Sequence, residues 1–129
     1  MSVHESVNDF SHEIIGAAVE VQRVLGTGLL EGAYASALAI ELAEREIGFA
    51  RDVSLGASYK SRPLGEVYRA GFIVEQSVIV ELRAVDVLND LHRAQVMAAL
   101  RVSGLKLGLL INFNVFPVVK GVHRIVSKP

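Results

Sequence analysis

Apolar residues along this chain recur at two different spacings, and each change of spacing marks a new element. Val7, Phe10, Ile14, Ala17, Ala18, Val21 and Leu25 return every three or four positions, which predicts the buried face of an amphipathic helix. Ser6 and Asp9 stand at its start as a capping pair, and Gly26 and Gly28 stop it. A second helix is expected from about Leu30 to Glu46, closed by Gly48. Leu30, Tyr34, Ala37, Leu38 and Leu42 form its inward stripe, and Glu41, Glu44, Arg45 and Glu46 its wet end. From Val53 the spacing drops to two. Val53, Leu55, Ala57 and Tyr59 alternate with Ser54, Gly56, Ser58 and Lys60, the pattern of a half-exposed strand. After a turn at Ser61-Arg62-Pro63 the alternation resumes over about 66–74. It puts Tyr68, Ala70, Phe72 and Val74 on one face and Val67, Arg69, Gly71 and Ile73 on the other. Glu75-Gln76-Ser77 then turns the chain into residues 78–84, which predicts an antiparallel hairpin.

Helical spacing returns from Asn89 or Asp90 to Ser103, with Leu91, Ala94, Ala98 and Val102 on its faces, Gln95 and Ala99 sharing a side, and Gly104 closing it. Residues 106–113 are almost continuously apolar, as in a strand buried on both faces. Residues 121–126 alternate and form a peripheral strand. The order α-α-β-β-β-α-β-β predicts a mixed β-sheet flanked by helices, an α/β fold in a single domain over residues 1–129. One strand, the third helix and the following strand make its right-handed crossover.

Composition narrows the function classes. The chain has 129 residues, 51% of them hydrophobic, and a net charge of −1, so no global basic field supports strong nucleic-acid binding, although a local patch is compatible with that charge. Cysteine is absent, which excludes disulfides, thiolate nucleophiles and cysteine-based zinc sites. No apolar run reaches membrane-spanning length, and the first residues lack a basic stretch followed by an apolar one. No membrane association and a cytoplasmic location are the expectation. The high apolar fraction favours a homo-oligomer. Of His4, His12, His92 and His123, only His92 stands near candidate chemistry, and a helix-surface role is expected for it.

The chemistry concentrates in Val78-Ile79-Val80-Glu81-Leu82-Arg83-Ala84. A period of two puts Glu81 and Arg83 on one face of an otherwise apolar strand. Two charges there are costly to bury unless they are paired or serve a ligand. Two readings are open: a mutual ion pair, or one wall of a polar active site.

Gly28-Leu29-Leu30-Glu31-Gly32-Ala33-Tyr34 matches the GxxExxY signature of a family of small bacterial proteins. The resemblance extends through residues 15–21, the Glu81 strand, His92-Arg93-Ala94-Gln95 and residues 109–114. That family resembles a branch of the PD-(D/E)xK nuclease superfamily, which implies a restriction-endonuclease-like core. It also implies a site in which an Asp and a Glu hold Mg²⁺, a Lys two residues after the Glu steadies the attacking water, and a Gln-xxx-Tyr pair positions the substrate. On this chain the resemblance assigns the metal-binding Glu to Glu81, the helix carboxylates to Glu20 and Glu31, and the Gln to Gln95. Gly71 stands where the Asp is expected, Arg83 replaces the Lys, and Ala99 replaces the Tyr. Arg is no substitute for Lys in such a site, since its planar, delocalised cation does not give up its proton. The expectation is a degenerate nuclease-fold protein, catalytically impaired, with a residual nucleic-acid-binding or structural role. Two alternatives stand beside it: an active Mg²⁺-dependent nuclease in which Glu20 or Glu31 replaces the missing Asp, and a purely structural homo-oligomer.

Overall fold

A computed structural model describes residues 9–127; Ser6 and Val7 of the expected first helix, and His4, lie outside the described residues. Helix α1 spans Ser11–Leu25. Asp9 sits at its entrance, where its Oδ1 accepts hydrogen bonds from the Ser11 N–H at 3.0 Å and the Ser11 hydroxyl at 2.5 Å. Helix α2 spans Glu31–Glu44, shorter at both ends than its apolar pattern predicts. Leu30 precedes the helix and is 85% exposed, so it does not join the inward stripe that Tyr34, Leu38 and Leu42 form.

Five strands follow: β1 (Phe49–Tyr59), β2 (Arg62–Val74), β3 (Val78–Arg83), β4 (Leu107–Asn112) and β5 (Val122–Val126), with α3 (Asp90–Ser103) between β3 and β4. They form one sheet in the order β1-β2-β3-β4-β5. Only β3 and β4 run parallel, because only they are joined by a helix long enough to carry the chain back. Both hairpin turns use two residues at positive φ, Lys60-Ser61 and Glu75-Gln76. Such turns match the right-handed twist of the strands they join. The first turn therefore lies one residue earlier than Ser61-Arg62-Pro63.

The larger core lies between α1 and α2 and one face of the sheet. Ile14, Ala17, Val21, Tyr34, Leu38 and Leu42 meet Phe72, Val74, Val78, Val80, Leu109 and Ile111 there. A smaller cluster of Ala70, Ile79, Ala99 and Leu100 joins α3 to the other face. Helix α3 buries Val96, Ala99 and Leu100, while Leu91 and Val102 are exposed, so Val96 and not Leu91 or Val102 turns to the sheet. Gly108 accounts for that rotation: a Cβ there would lie 2.5 Å from Val96 Cγ1, so the missing side chain lets α3 settle on β4 through Val96. At the helix start Asn89 and His92 form a reciprocal cap. The His92 N–H donates to Asn89 Oδ1, and the Asn89 N–H donates to His92 Nδ1, both at 3.0 Å. This explains His92.

Two buried amides tie the end of β4 to its neighbours. Gln22 donates to the Phe113 and Val115 carbonyls and accepts from the Val118 N–H. Asn112 pairs with both backbone groups of Val85. Among the described residues, no helix is long and apolar enough to cross a membrane.

Candidate functional site

The site forms where β2 leaves β3. Their ladder pairs Val74 with Val78, Ile73 with Ile79 and Phe72 with Val80, so the next rung would set Gly71 opposite Glu81. There the side chain of Glu81 takes over from the backbone. The Gly71 N–H faces both carboxylate oxygens, Oε1 at 3.1 Å and Oε2 at 3.2 Å. The Tyr68 hydroxyl donates to Oε2 at 2.7 Å.

Strict alternation places Tyr68 and Ala70 with Phe72, but the structure does not. Phe72 packs into the larger core, whereas Tyr68, Ala70 and Ile73 pack with the smaller one. The face alternation slips at Gly71, and the neighbouring strand is irregular at the same level. Arg51 pairs with Phe72 and Val53 with Ala70, leaving Asp52 across from Gly71 at a left-handed φ of 52°.

Around this point a cavity of about 400 Å³ is lined by Glu31, Asp52, Tyr68, Arg69, Gly71, Glu81, Arg83 and Gln95. The structure thus brings Glu31, Gly71, Glu81, Arg83 and Gln95 to the lining of one cavity. It does not bring Glu20, which lies on α1 in a bidentate pair with Arg23 at 2.8 Å. Ala99 is fully buried against Ile79 and Leu100 instead of facing the cavity. Tyr68, Asp52 and Arg69 are the lining residues that motif spacing misses. A larger cavity of about 880 Å³ lies between β1 and the end of α3. Its one carboxylate, Glu75, is committed to the Gly48 N–H at 2.9 Å, so it offers no converging set of reactive groups.

The two charges of β3 share the cavity without forming an ion pair. Arg83 donates from Nη1 to the Leu82 carbonyl at 2.7 Å and from Nη2 to Gln95 Oε1 at 3.4 Å, and the ion pairs among the described residues do not include Glu81. Glu81 is only 5% exposed. Burial raises its carboxyl above the ordinary carboxylate value, outweighing the opposite pull of the Tyr68 hydroxyl, the Gly71 N–H and the Arg83 charge. Burial, and then the bond to Glu81, likewise raise the Tyr68 phenol. Tyr68 therefore keeps its proton and acts as a donor.

The signature residues divide between scaffold and site. Tyr34 stacks on Phe113 with ring centroids 4.6 Å apart. Its hydroxyl donates to the Gly26 carbonyl at 2.7 Å and accepts from the Leu29 N–H at 3.2 Å. Gly28 turns the enclosed loop at a φ of 96° and donates its N–H to Asn114 Oδ1. With that loop fixed, the first turn of α2 presents Glu31 to the cavity.

A family model of the PD-(D/E)XK nuclease superfamily matches residues 8–125. The chain belongs to that superfamily. Neither the curated proteins nor the solved structures contain a match to it. PD-(D/E)XK nucleases typically hold divalent metals, and the residues of this member can be tested against that need. Mg²⁺ requires several hard oxygen ligands in near-octahedral array. Among the described residues, no three Asp, Glu or His side chains converge closely enough to hold a metal ion. Glu81 points its oxygens at an N–H and an O–H, and Gly71 contributes no carboxylate. Glu31 and Asp52 lie on the same lining but do not converge with Glu81 on one point, so this donor set does not fit the metal.

Proposed function

We propose that this protein is a PD-(D/E)XK nuclease-fold domain that no longer carries out metal-dependent phosphodiester cleavage and retains a nucleic-acid-binding or structural role. The observation that carries this reading is the posture of Glu81, whose carboxylate is held by the Tyr68 hydroxyl and the Gly71 N–H. Those donors take up part of its acceptor capacity and hold it against β2. Arg83 supports the reading in a second way. A fixed guanidinium on the cavity wall repels a cation and attracts a phosphate.

The test pairs cleavage with binding. Labelled single- and double-stranded DNA and RNA are incubated with the protein and Mg²⁺ or Mn²⁺, and binding of the same oligonucleotides is followed by fluorescence anisotropy. The expected result is no cleavage above the buffer control, with any binding weakened by Arg83→Ala. Metal-dependent cleavage that disappears in Glu81→Ala contradicts the proposal.

One observation favours the alternative of an active nuclease. Asp52 and Glu31 line the same cavity as Glu81, so a rearranged site has carboxylates within it. In that case Asp52→Asn and Glu31→Gln would each abolish the cleavage, whereas Glu20→Gln would not.

A further inference from the structure

We infer that Tyr68 and the bare backbone of Gly71 together shut this centre to cations, by locking the Glu81 carboxylate onto strand β2. The inference rests on the metal-free reading above and adds what enforces it. Three observations interlock. The β2–β3 ladder stops at Phe72 and Val80, so the Gly71 N–H is left for a side chain, and Glu81 is the side chain that takes it. Gly71 is what permits this posture, because a Cβ there would stand 2.7 Å from Glu81 Oε1 and 3.4 Å from the Val80 carbonyl. Any side chain at that position must displace the carboxylate. Tyr68 opposes the displacement from the other side, since its hydroxyl holds Oε2 at 2.7 Å. It reaches Oε2 because β2 slips out of alternation at Gly71.

The loss of the Asp is therefore not an isolated gap. Restoring a carboxylate at position 71 also requires Glu81 to swing away from β2, and Tyr68 resists that movement. The Gly71 N–H and the Tyr68 O–H take up part of the carboxylate's acceptor capacity and fix the direction in which its remaining lone pairs point. Tyr68 acts here as a positioning residue, through Glu81, and needs no contact with substrate.

The inference is tested by Mn²⁺ titration of the wild type, Gly71→Asp/Arg83→Lys, and the same pair combined with Tyr68→Phe, each checked for folding by circular dichroism. The wild type is expected not to bind, and the triple variant to bind at least tenfold more tightly than the double. Equal affinity in the two variants overturns the role of Tyr68, as does a folded triple variant that fails to bind. Saturable wild-type binding lost in Glu81→Gln overturns the metal-free reading itself, which keeps the two failures apart. Hydrogen exchange at the Gly71 amide supplies a readout free of any metal. Glu81→Ala should accelerate that exchange at least tenfold and Tyr68→Phe should accelerate it measurably, with the Ile79 amide unchanged. An unaltered Gly71 rate in both variants contradicts the lock even if the multiple variants do not fold.

Discussion

Glu81 sits where solvation and hydrogen bonding pull in opposite directions, and burial wins. A carboxyl raised in the folded state binds its proton more readily there than in the unfolded chain. Its ionisation therefore costs stability, beginning near the ordinary value of 4.5 and growing until the pH has passed the raised folded value. Stability should fall across that window as pH rises and then level off. Denaturant midpoints of wild type and Glu81→Gln check this: the variant should lack that slope, and an identical slope in both would place its origin elsewhere. At the residue scale, Glu81 and Arg83 were legible from the alternation of their strand, whereas Glu31 and Gln95 were placed by the family resemblance alone. Tyr68, Asp52 and Arg69 were not. Strict alternation sends Tyr68 to the face of Phe72, and only the slip at Gly71 turns it toward Glu81. Asp52 enters the cavity at a left-handed backbone position across from Gly71, which no single-strand pattern reveals. Of the two readings open for Glu81 and Arg83, the ion pair fails because each side chain finds other partners: Glu81 in Tyr68 and Gly71, Arg83 in the Leu82 carbonyl and Gln95.

Among the elements, α3 shows how close approach overrides apolar spacing. Its apolar Leu91 and Val102 are exposed, whereas Val96, Ala99 and Leu100 carry the contact with the sheet. The position of the helix depends on the empty side of Gly108 beneath Val96. Gly108→Ala should therefore force α3 outward and cost about 1–3 kcal/mol, the usual range for overpacking a filled core. Chemical denaturation checks the value, and a loss near zero would show that Val96 has room to move. The order and type of the elements were readable because the changes between helical and alternating spacing are sharp. Their ends were less so. Leu30 is apolar yet exposed, and β1 begins at Phe49, before clear alternation starts, because pairing with Val74 extends it there.

On the scale of the whole molecule, α1 and the edge strand β5 are tied by Asp9 and Arg124. The Arg124 guanidinium reaches Asp9 Oδ2 and the Ser11 hydroxyl, each at 2.9 Å. Burial alone would raise the Asp9 carboxyl, but the bonds from Ser11 and Arg124 outweigh it and bring the pKa from 3.8 down to about 2. A lowered carboxyl stabilises the fold above its unfolded value, and that contribution disappears as pH falls through the folded one. Acid unfolding between those limits should be less steep in Asp9→Asn, as measured by circular dichroism against pH. The fold itself belongs to a nuclease superfamily, while the centre it positions has a donor set unsuited to that superfamily's metal. The most direct test of this contrast is a calorimetric titration of the wild-type protein with Mn²⁺ and Mg²⁺. No saturable heat is expected at micromolar metal. Saturable micromolar binding that is lost in Glu81→Ala would contradict that expectation.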